Sequence, residues 1–592
     1  MQEKWVIRAK KADFYQIAQE FQIDPVVARL LVNRGVKETE DIRRYLRGDE
    51  RDLYDPLRMK DLGKAVDLIL EYLKKEKKVA VASDYDVDGI MSGFILKTAF
   101  LRLGADCTVY TPDRIAEGYG LNQRIVDQAY ESGARLLITC DNGIAAFEPV
   151  FRAKQLGMTV IVTDHHEVPF KEEDDGTIRP LSVAADAVLD PKQEDCGYPY
   201  KNLCGAGVAF KLICALYDRV GISNAEKYDL LEYTAIATVA DVMELTDENR
   251  ILVRLGLDRL KHTKNLGLRA LIQENQLNPL RLNAYQIGFV IGPCLNAAGR
   301  LQTAKLAFDL LEARDERTAA KLAAELKALN DSRKDLTAVG FAQAVDIIEN
   351  STLKNDRVLL VLLEECHESL VGIIAGKIKE KYYRPTIVFT RTEEGLLKGS
   401  GRSIEAYHMF KELTRQRHLL KRFGGHAMAA GLTIREENLE KLRVSLNESA
   451  KLTQEDLTPV VRIDMLMPID YVTENLIDQI ESLEPYGQGN PKPVFAERHF
   501  RILSARIVGK NQNVLRLRIQ NENRMAADAV YFGDIPEFET FVEREFGAQQ
   551  KAKMFAGEPN FVDLAMTYYP DLDEYRGRRQ IQFVITGYQR LK

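Results

Sequence analysis

The sequence predicts a multi-domain α/β protein whose last domain is a small β-barrel. From about residue 75, short apolar runs alternate with helical stretches, which is typical of buried parallel strands in βαβ units. Near the C-terminus, apolar and basic residues alternate in VLRLRIQ (514–520), which indicates half-buried strands. With 592 residues and 45% hydrophobic composition, the chain is long enough for about three or four domains.

Five segments follow from these changes in texture. The stretch 303–350 is rich in Ala, Leu, Lys and Glu, with no proline and no glycine before Gly340, so it predicts long connecting helices. The segments are an N-terminal mainly helical region (1–74), a parallel-sheet α/β domain (75–260), a helical connector (261–354), a second α/β domain (355–456) and a barrel domain (457–592).

Composition excludes several classes of protein. The seven cysteines are odd in number and lack C-x-x-C spacing, which argues against a disulfide framework and a thiolate zinc site and favours the reducing cytoplasm. The N-terminal residues lack an apolar core and no apolar run approaches about 18 residues, so neither export nor a membrane span is expected. The net charge is −6, so a nucleic-acid partner would need a local basic patch.

Acidic and histidine side chains follow three of the apolar runs. KVAVAS leads into Asp84, Asp86 and Asp88, RLLITC leads into Asp141, and MTVIVT leads into Asp164, His165 and His166. Any one of these aspartates alone is explained by an ordinary turn. Because the carboxyl ends of parallel strands meet at one edge of a sheet, we expect all of them in one crevice, where oxygen ligands with imidazole suit Mn²⁺ or Mg²⁺.

Asp241 is a further candidate ligand, because it lies in the otherwise apolar helix YTAIATVADVMEL. A buried carboxylate needs a partner there. A cap or a backbone hydrogen bond would satisfy it, but a metal ion is the better interpretation beside the other acids.

These residues carry a resemblance to a known superfamily. DYDVDG, CDNG, TDHHE and VAD, in this order, resemble the four motifs of the DHH phosphoesterases. EGYGLN, GPCLNAAGRL, GSGRS and GGHAMAAG extend the likeness along nearly the whole chain and are similar to the bacterial RecJ family of single-strand-specific 5′ to 3′ DNA exonucleases. The resemblance implies a DHH phosphoesterase domain, a DHH-associated α/β domain and an OB-fold barrel.

The resemblance also assigns roles to the residues of the crevice. It implies that two divalent cations are held by five side chains, with Asp141 as the bridge: Asp86, Asp88, Asp141, His165 and Asp241. His166 would contact the scissile phosphate, Asp164 would orient an imidazole, and Asp84 would support the site. A water activated by the metals would then attack phosphorus in line.

A second set of residues is expected to bind the DNA. Arg300, Ser400 and Arg402 make a plausible pocket for a terminal 5′ phosphate, since arginine forks match phosphate oxygens. The glycine-rich segment around His426 suits backbone N–H groups close to an anion, although a tight packing motif at a helix start is the alternative. Arg114 is predicted to meet a backbone phosphate, and Tyr119 to stack on a base or simply to pack.

The predicted barrel carries a local basic patch. It has 17 Lys and Arg against 19 Asp and Glu overall, yet seven basic residues and one acid, Glu522, lie between Arg498 and Arg524. Alternation would place Arg516 and Arg518 on one face, as in an OB-fold that tracks a single-stranded backbone. A solvated strand face is the alternative.

The resulting hypothesis is a metal-dependent 5′ to 3′ exonuclease that releases 5′ mononucleotides from single-stranded DNA in recombination and repair. We expect a cytoplasmic monomer, with a single-strand-binding protein and a DNA helicase as candidate partners. The alternatives are a small-substrate phosphatase, such as a pyrophosphatase or an oligoribonucleotide hydrolase, and a nucleic-acid-binding factor with an inactive core.

Overall fold

A computed structural model describes residues 3–114, 117–172, 178–575 and 578–590. The N-terminal region holds one strand and three helices: β1 (Lys4–Ile7), α1 (Phe14–Phe21), α2 (Pro25–Asn33) and α3 (Thr39–Arg47). The three helices pack into the apolar core of the C-terminal barrel domain, and β1 pairs in parallel with a strand at Val460–Ile463.

The first α/β domain follows. Its elements are α4 (Leu62–Lys75), β2 (Lys78–Ser83), α5 (Val87–Arg102), β3 (Asp106–Tyr110), α6 (Gln123–Glu131), β4 (Leu136–Cys140), α7 (Phe147–Gln155), β5 (Thr159–Thr163), β6 (Phe170–Glu172), β7 (Ile178–Pro180), β8 (Ala187–Leu189), α8 (Gly205–Val220), α9 (Asn224–Tyr228), α10 (Leu231–Ala240) and α11 (Asp247–Leu260). Helix α4 belongs to the same apolar core as this domain.

Five of these strands form a parallel sheet in the order β3-β2-β4-β5-β8. Helices α5 and α8 pack on one face, and α6 and α7 pack on the other. Because β3 and β4 flank β2 on opposite sides, the strand order reverses between β2 and β4. Ligands of doubly wound sheets bind at such a switch point, and the first aspartates follow β2 and β4 there.

The connector is helical, as predicted. It contains α12 (Leu266–Glu274), α13 (Ala284–Gln286), α14 (Gly292–Leu301), α15 (Lys305–Leu311) and α16 (Glu316–Glu349), and a π-helical turn at Ile287–Ile291 joins α13 to α14. Helix α16 is 34 residues long and reaches the second α/β domain, where Gly340 packs against Ile374.

The second α/β domain contains β9 (Leu359–Leu362), α17 (Val371–Tyr382), β10 (Thr386–Arg391), β11 (Leu396–Arg402), α18 (Met409–Arg415), β12 (Leu420–Gly425), β13 (Ala429–Arg435) and α19 (Leu439–Ser449). The sheet order is β12-β13-β11-β10-β9. Only β9 and β10 run parallel, and the other neighbours are antiparallel.

The C-terminal domain contains β14 (Val460–Ile463), β15 (Met465–Leu466), α20 (Glu474–Glu481), β16 (Phe495–Val508), β17 (Val514–Asn521), β18 (Ala526–Tyr531), α21 (Ile535–Phe546), α22 (Ala548–Ala556), β19 (Asp563–Tyr575) and β20 (Arg578–Gln589). Strands β16, β17, β18, β20 and β19 follow one another, and β19 pairs back onto β16. This closure confirms the predicted barrel.

Arg250 joins three parts of the molecule. Its buried guanidinium donates hydrogen bonds to the carbonyls of Tyr45, Leu483 and Ser482. The N-terminal region, the first α/β domain and the barrel domain therefore share one polar contact in the interior. All seven cysteines are free thiols. Over the ranges that the structure describes, we find no helix that is both long and apolar enough to cross a bilayer.

Candidate metal centre and nucleic-acid interface

The predicted acidic residues meet at the carboxyl ends of β2, β4 and β5. Asp241 joins them from the end of α10, where it caps the helix. Within the described residues, three groups of side chains can each place ligand atoms within 4.8 Å of one another: Asp84, Asp86 and Asp141; Asp88, His165 and Asp241; and Asp141, His165 and His166. Asp141 belongs to two groups, as a bridging ligand would.

His165 sits at the centre of this cluster. Its Nε2 atom lies 3.0 Å from Oδ1 of Asp141, 3.5 Å from Oδ2 of Asp88 and 3.8 Å from Oδ2 of Asp241. Burial, reinforced by the neighbouring His166, lowers the pKa of His165 to about 3. The ring is therefore neutral near pH 7, so it supplies no positive charge to the three carboxyl groups that surround it.

The pKa values of the carboxyl groups show that the cluster lacks positive charge. Burial and the charge of Asp86 raise the pKa of Asp84 to about 8 and that of Asp88 to about 6. Burial and the charge of Asp88 raise the pKa values of Asp141 and Asp241 well above the usual range. Repulsion of this kind is relieved by cations, and the oxygen-rich set with one imidazole fits Mn²⁺ or Mg²⁺.

Backbone hydrogen bonds and close backbone packing hold the candidate ligands in position. Asp88 accepts hydrogen bonds from the N–H groups of Gly205, at 2.6 Å, and Ala206, at 2.7 Å, at the start of α8. Asp86 caps α5 through Oδ1. Asp141 has a left-handed backbone conformation, with φ of 59°. Gly205 packs so closely against it that a Cβ atom at position 205 would lie 2.6 Å from Cβ of Asp141.

Asp164 holds His166 in place through a hydrogen bond. Its Oδ1 accepts from Nδ1 of His166 at 2.7 Å, and its Oδ2 accepts from the backbone of Ile144. Burial alone would lower the pKa of His166, but the hydrogen bond to Asp164 and the surrounding carboxylates raise it to about 9. His166 therefore carries a proton at the rim of the acidic cluster.

Tyr119 lies beside the metal centre with its ring half exposed, so its predicted stacking on a base stays a prediction. Its hydroxyl donates to the carbonyl of Asp141 at 2.5 Å and lies 3.0 Å from Nδ1 of His166. The two rings meet edge to face, with centroids 5.3 Å apart. Tyr119 thus forms part of the wall of the metal centre and supports His166.

Two residues beside Tyr119, Gly120 and Asn142, were not singled out from the sequence. The Asn142 amide donates to the carbonyls of Ala82 and Cys140, and its oxygen accepts from Leu121. Beside it, the backbone of Gly120 donates to Asp84. Asn142 therefore ties the loop after β3 to the ends of β2 and β4, and only its position in the CDNG motif hinted at this role.

Each residue predicted to hold a 5′ phosphate lies beside the segment from Ser369 to Gly372 at the start of α17. Arg300 donates to the carbonyl of Ser369 at 2.8 Å. Arg402 donates to the Ser400 hydroxyl, and a Cβ atom at Gly372 would lie within about 3 Å of both Ser400 and Arg402. Two guanidinium groups, a hydroxyl and a helix N-terminus are the groups that bind phosphate.

Arg114 and His426, the other two residues predicted to contact DNA here, lie outside the segment at the start of α17. The Arg114 guanidinium stands 4.7 Å from the ring centroid of Tyr85, in the same loop as the first aspartates. His426 is exposed in the hairpin between β12 and β13, so the alternative of a helix-start motif is wrong. Gly424 and Gly431 pair across this hairpin, and their faces are open.

The barrel arginines point outward, as their alternation predicts. Leu515, Leu517 and Ile519 fill the barrel, while Arg516 and Arg518 lie on its outer face. Arg518 forms an ion pair with Asp528 at 2.9 Å, so its charge is already partnered. Arg516 is the more available of the two for a phosphate.

Three segments of the chain match known domain families. The DHH family N-terminal domain model matches residues 78–238, the DHHA1 domain model matches 355–452, and the RecJ OB domain model matches 463–587. Curated relatives named single-stranded-DNA-specific exonuclease RecJ include those of Escherichia coli, 34% identical, and Haemophilus influenzae, 33% identical. Each alignment covers 95% of this chain and at least 95% of the relative.

The relative from Bacillus subtilis is 37% identical over 88% of this chain, and the chain spans 64% of that longer protein. Among solved structures, RecJ from Thermus thermophilus in complex with Mn²⁺ superposes with a TM-score of 0.81 at 25% identity, covering all of this chain and 80% of that one. A manganese-bound exonuclease RecJ matches 67% of this chain and 98% of its own at 30% identity and a TM-score of 0.56. These matches confirm the predicted fold and a divalent-cation cofactor.

Proposed function

The chain belongs to the RecJ family of single-stranded-DNA-specific exonucleases, and we propose that it removes mononucleotides from the 5′ end of single-stranded DNA by hydrolysis at two divalent cations. The observation that carries this proposal is the position of the acidic cluster beside a pocket of phosphate-binding groups. Gly299, next to Arg300, packs against the carbonyl of Tyr85, which is next to Asp86. A phosphate held by Arg300 would therefore stand next to the metal ligands.

The polarity of the reaction follows from what the pocket accepts. Arg300, Arg402, Ser400 and the start of α17 would bind a terminal 5′ phosphate through bidentate and helix-terminus contacts. The next phosphodiester would then lie over the acidic cluster. This order of sites releases one nucleotide with its 5′ phosphate at each step.

The residues of the chain divide the chemistry between them. Asp86, Asp88, Asp141, His165 and Asp241 would hold the two cations, which when bound supply an ionised water and offset charge on the phosphoryl oxygens. His166, protonated and fixed by Asp164, would donate a hydrogen bond to a phosphoryl oxygen as negative charge develops there. Tyr119 holds the His166 ring, and Asp84 fixes the loop at Gly120.

The direct test is digestion of 5′-phosphorylated single-stranded and duplex DNA with Mn²⁺. We expect the wild-type chain to degrade the single strand and to spare the duplex, and Asp141→Ala to lose activity by several orders of magnitude. Asp195→Ala is the matched control, because this aspartate lies in the same domain but pairs with Lys60 at the surface. Equal digestion of both DNA forms, or an active Asp141→Ala enzyme, would refute the proposal.

The same assay separates the alternatives. Hydrolysis confined to pyrophosphate or dinucleotides would indicate a small-substrate phosphatase, and binding without hydrolysis would indicate an inactive nucleic-acid-binding factor. The cytoplasmic location, the monomeric state and the partnership with a single-strand-binding protein and a helicase stay predictions. Size-exclusion chromatography with light scattering tests the oligomeric state.

A further inference from the structure

Asp241 differs from the other candidate aspartate ligands in how its side chain is held. Backbone N–H groups donate hydrogen bonds to Asp86 and Asp88. Oδ1 of Asp141 lies 3.0 Å from Nε2 of His165. Over the ranges that the structure describes, the Asp241 carboxylate takes part in no hydrogen bond, and its Oδ2 atom lies 3.8 Å from that same nitrogen. The position of this carboxylate therefore depends on the backbone at the end of α10.

The turn that follows Asp241 contains a strained residue. Val242 has a φ of 57°, and among the non-glycine residues with a positive φ in the described chain it alone is β-branched. A β-branched residue is a genuine outlier in this left-handed conformation. The N–H group of Val242 donates to the carbonyl of Val239 at 3.2 Å, and that of Met243 donates to the carbonyl of Thr238 at 3.1 Å. These two hydrogen bonds form a Schellman motif, which keeps Val242 in the strained conformation.

Three other helices of the same domain have glycine at the position of Val242. Helices α5, α6 and α7 end in the same pair of hydrogen bonds, and their residues with positive φ are Gly104, Gly133 and Gly157. Glycine has no Cβ atom, so it adopts the left-handed conformation without strain. The Schellman motif at the end of α10 therefore does not require a valine.

Packing does not account for the valine either. The side chain of Val242 is 68% exposed, so it adds little apolar burial to the fold. What distinguishes valine from glycine at this position is the freedom of the backbone, because glycine has many more accessible conformations. Strained backbone conformations cluster at active sites, and this one directly follows a candidate metal ligand.

We propose that Val242 is a positioning residue for the metal centre, which stiffens the turn after α10 and so holds the Asp241 carboxylate where a cation binds. Asp241 forms one ligand group with Asp88 and His165. A ligand that is already in place loses less conformational freedom on binding than one on a mobile turn. The inference rests on the proposed function, because it concerns one of the two cations proposed there. Glycine at position 242 should therefore relieve strain and weaken the metal site.

The test measures Mn²⁺ affinity and stability on the same variant, without DNA. In Val242→Gly, equilibrium dialysis should show one ion bound roughly 10- to 100-fold more weakly, the usual loss when a residue that orients a metal ligand is replaced. The thermal midpoint in EDTA should equal or exceed that of the wild type, because glycine removes the steric conflict. A lower midpoint would mean that the valine serves the fold, and unchanged Mn²⁺ affinity would mean that it does not position Asp241. Either result would overturn the proposal.

Gln276 offers a matched control. It is exposed, has a φ of 55° and ends α12 in the same Schellman motif, but no candidate ligand adjoins it. Gln276→Gly should relax its turn in the same way and leave Mn²⁺ affinity unchanged. Val242→Ile keeps the β-branch, so it should keep the wild-type affinity. A loss of Mn²⁺ affinity in Gln276→Gly as large as that in Val242→Gly would contradict a specific role for the turn after Asp241.

Digestion of single-stranded DNA gives a second readout. In Val242→Gly, the Mn²⁺ concentration for half-maximal activity should rise by the same factor as the dissociation constant, and saturating Mn²⁺ should restore the rate, since no ligand is removed. A rate that stays low at saturating Mn²⁺ would place Val242 in contact with the strand and contradict a positioning role. Failure of the proposed function has a different signature, because it would appear as a wild-type chain that binds Mn²⁺ and does not digest single-stranded DNA.

Discussion

The Nε2 atom of His165 lies 3.0 Å from Oδ1 of Asp141, although the two residues follow different strands of the sheet. Both side chains are almost fully buried. The same nitrogen faces Asp88 and Asp241 at 3.5 and 3.8 Å. A neutral ring supplies no positive charge, so the three carboxyl groups can ionise together only if cations are present. This contact is the structural reason to expect cations here.

Gly205→Ala should disable the metal centre although it replaces none of the candidate ligands. The added methyl carbon would lie 2.6 Å from Cβ of Asp141 and 2.8 Å from its Cα, and it would disturb the N–H group that holds Asp88. A displacement of this kind costs roughly 100-fold in rate. Nuclease assays would measure it. Gly63→Ala is the control, because its nearest neighbour stands 3.9 Å away, and equal activity of the two variants would contradict the account.

Stabilisation by Mn²⁺ should grow as the pH rises. The pKa of Asp84 is raised to about 8 and that of Asp88 to about 6, above the unfolded values near 4. The metal-free fold therefore binds more protons than the unfolded chain and loses stability as pH rises from about 4 to about 8. Cations replace these protons.

Thermal unfolding with EDTA and with Mn²⁺ across this pH range checks the prediction. Free metal at 100 times its Kd adds about 2.7 kcal/mol of stability, and the gain should shrink toward pH 5. A metal-induced shift that is constant with pH, or larger in acid, would show that the raised carboxyl pKa values do not govern the site.

Arg402→Gln should remove the preference for a 5′-phosphorylated end. The guanidinium contacts Ser400 beside the start of α17, and a hydrogen bond to a charged group is worth about 1.5–3 kcal/mol. The ratio of kcat/KM for 5′-phosphate over 5′-hydroxyl strands should fall by roughly 10- to 150-fold. Arg516→Gln should instead weaken both substrates alike, and an unchanged ratio in Arg402→Gln would place the 5′ end elsewhere.

Arg250→Met should loosen the junction of three domains. The substitution leaves the carbonyls of Tyr45 and Ser482 without their buried donor and removes one of three donors to the carbonyl of Leu483, at a cost of about 1–3 kcal/mol for each unsatisfied group. We expect a lower thermal midpoint and separate unfolding of the barrel and the first α/β domain. Arg254→Met, which loses one bond to Leu46, is the milder control, and equal midpoints would contradict a shared junction.

The sequence was most informative where chemistry follows a strand. Apolar runs predicted the parallel strands, and the acids that follow them, such as Asp86 and Asp141, meet because strand ends of one sheet meet. Alternation predicted the barrel strand at 514–520 for the same local reason. These inferences depend on periodicity within a few residues, which the chain displays directly.

The remaining features depend on contacts between distant segments. Gly205 supports Asp88 through its backbone, which leaves no side-chain signal. Strand β1 pairs with β14 across more than 450 residues, and the contact of Tyr119 with His166 joins loops that are 47 residues apart. Arg518 was predicted as a DNA contact from a local run of basic residues and their alternation, and its partner Asp528 lies on the neighbouring strand. No pattern within a few residues of sequence predicts contacts between such distant segments.

The most direct test of the account is the number of Mn²⁺ ions bound per chain. Equilibrium dialysis followed by metal analysis, run on the wild type and on Asp141→Asn, measures it without any substrate. We predict two ions in the wild type and at most one, weakly held, in Asp141→Asn, because this carboxylate belongs to two of the three ligand groups. A wild-type chain that binds one ion or none, or an Asp141→Asn chain that still binds two tightly, would contradict the proposed metal centre.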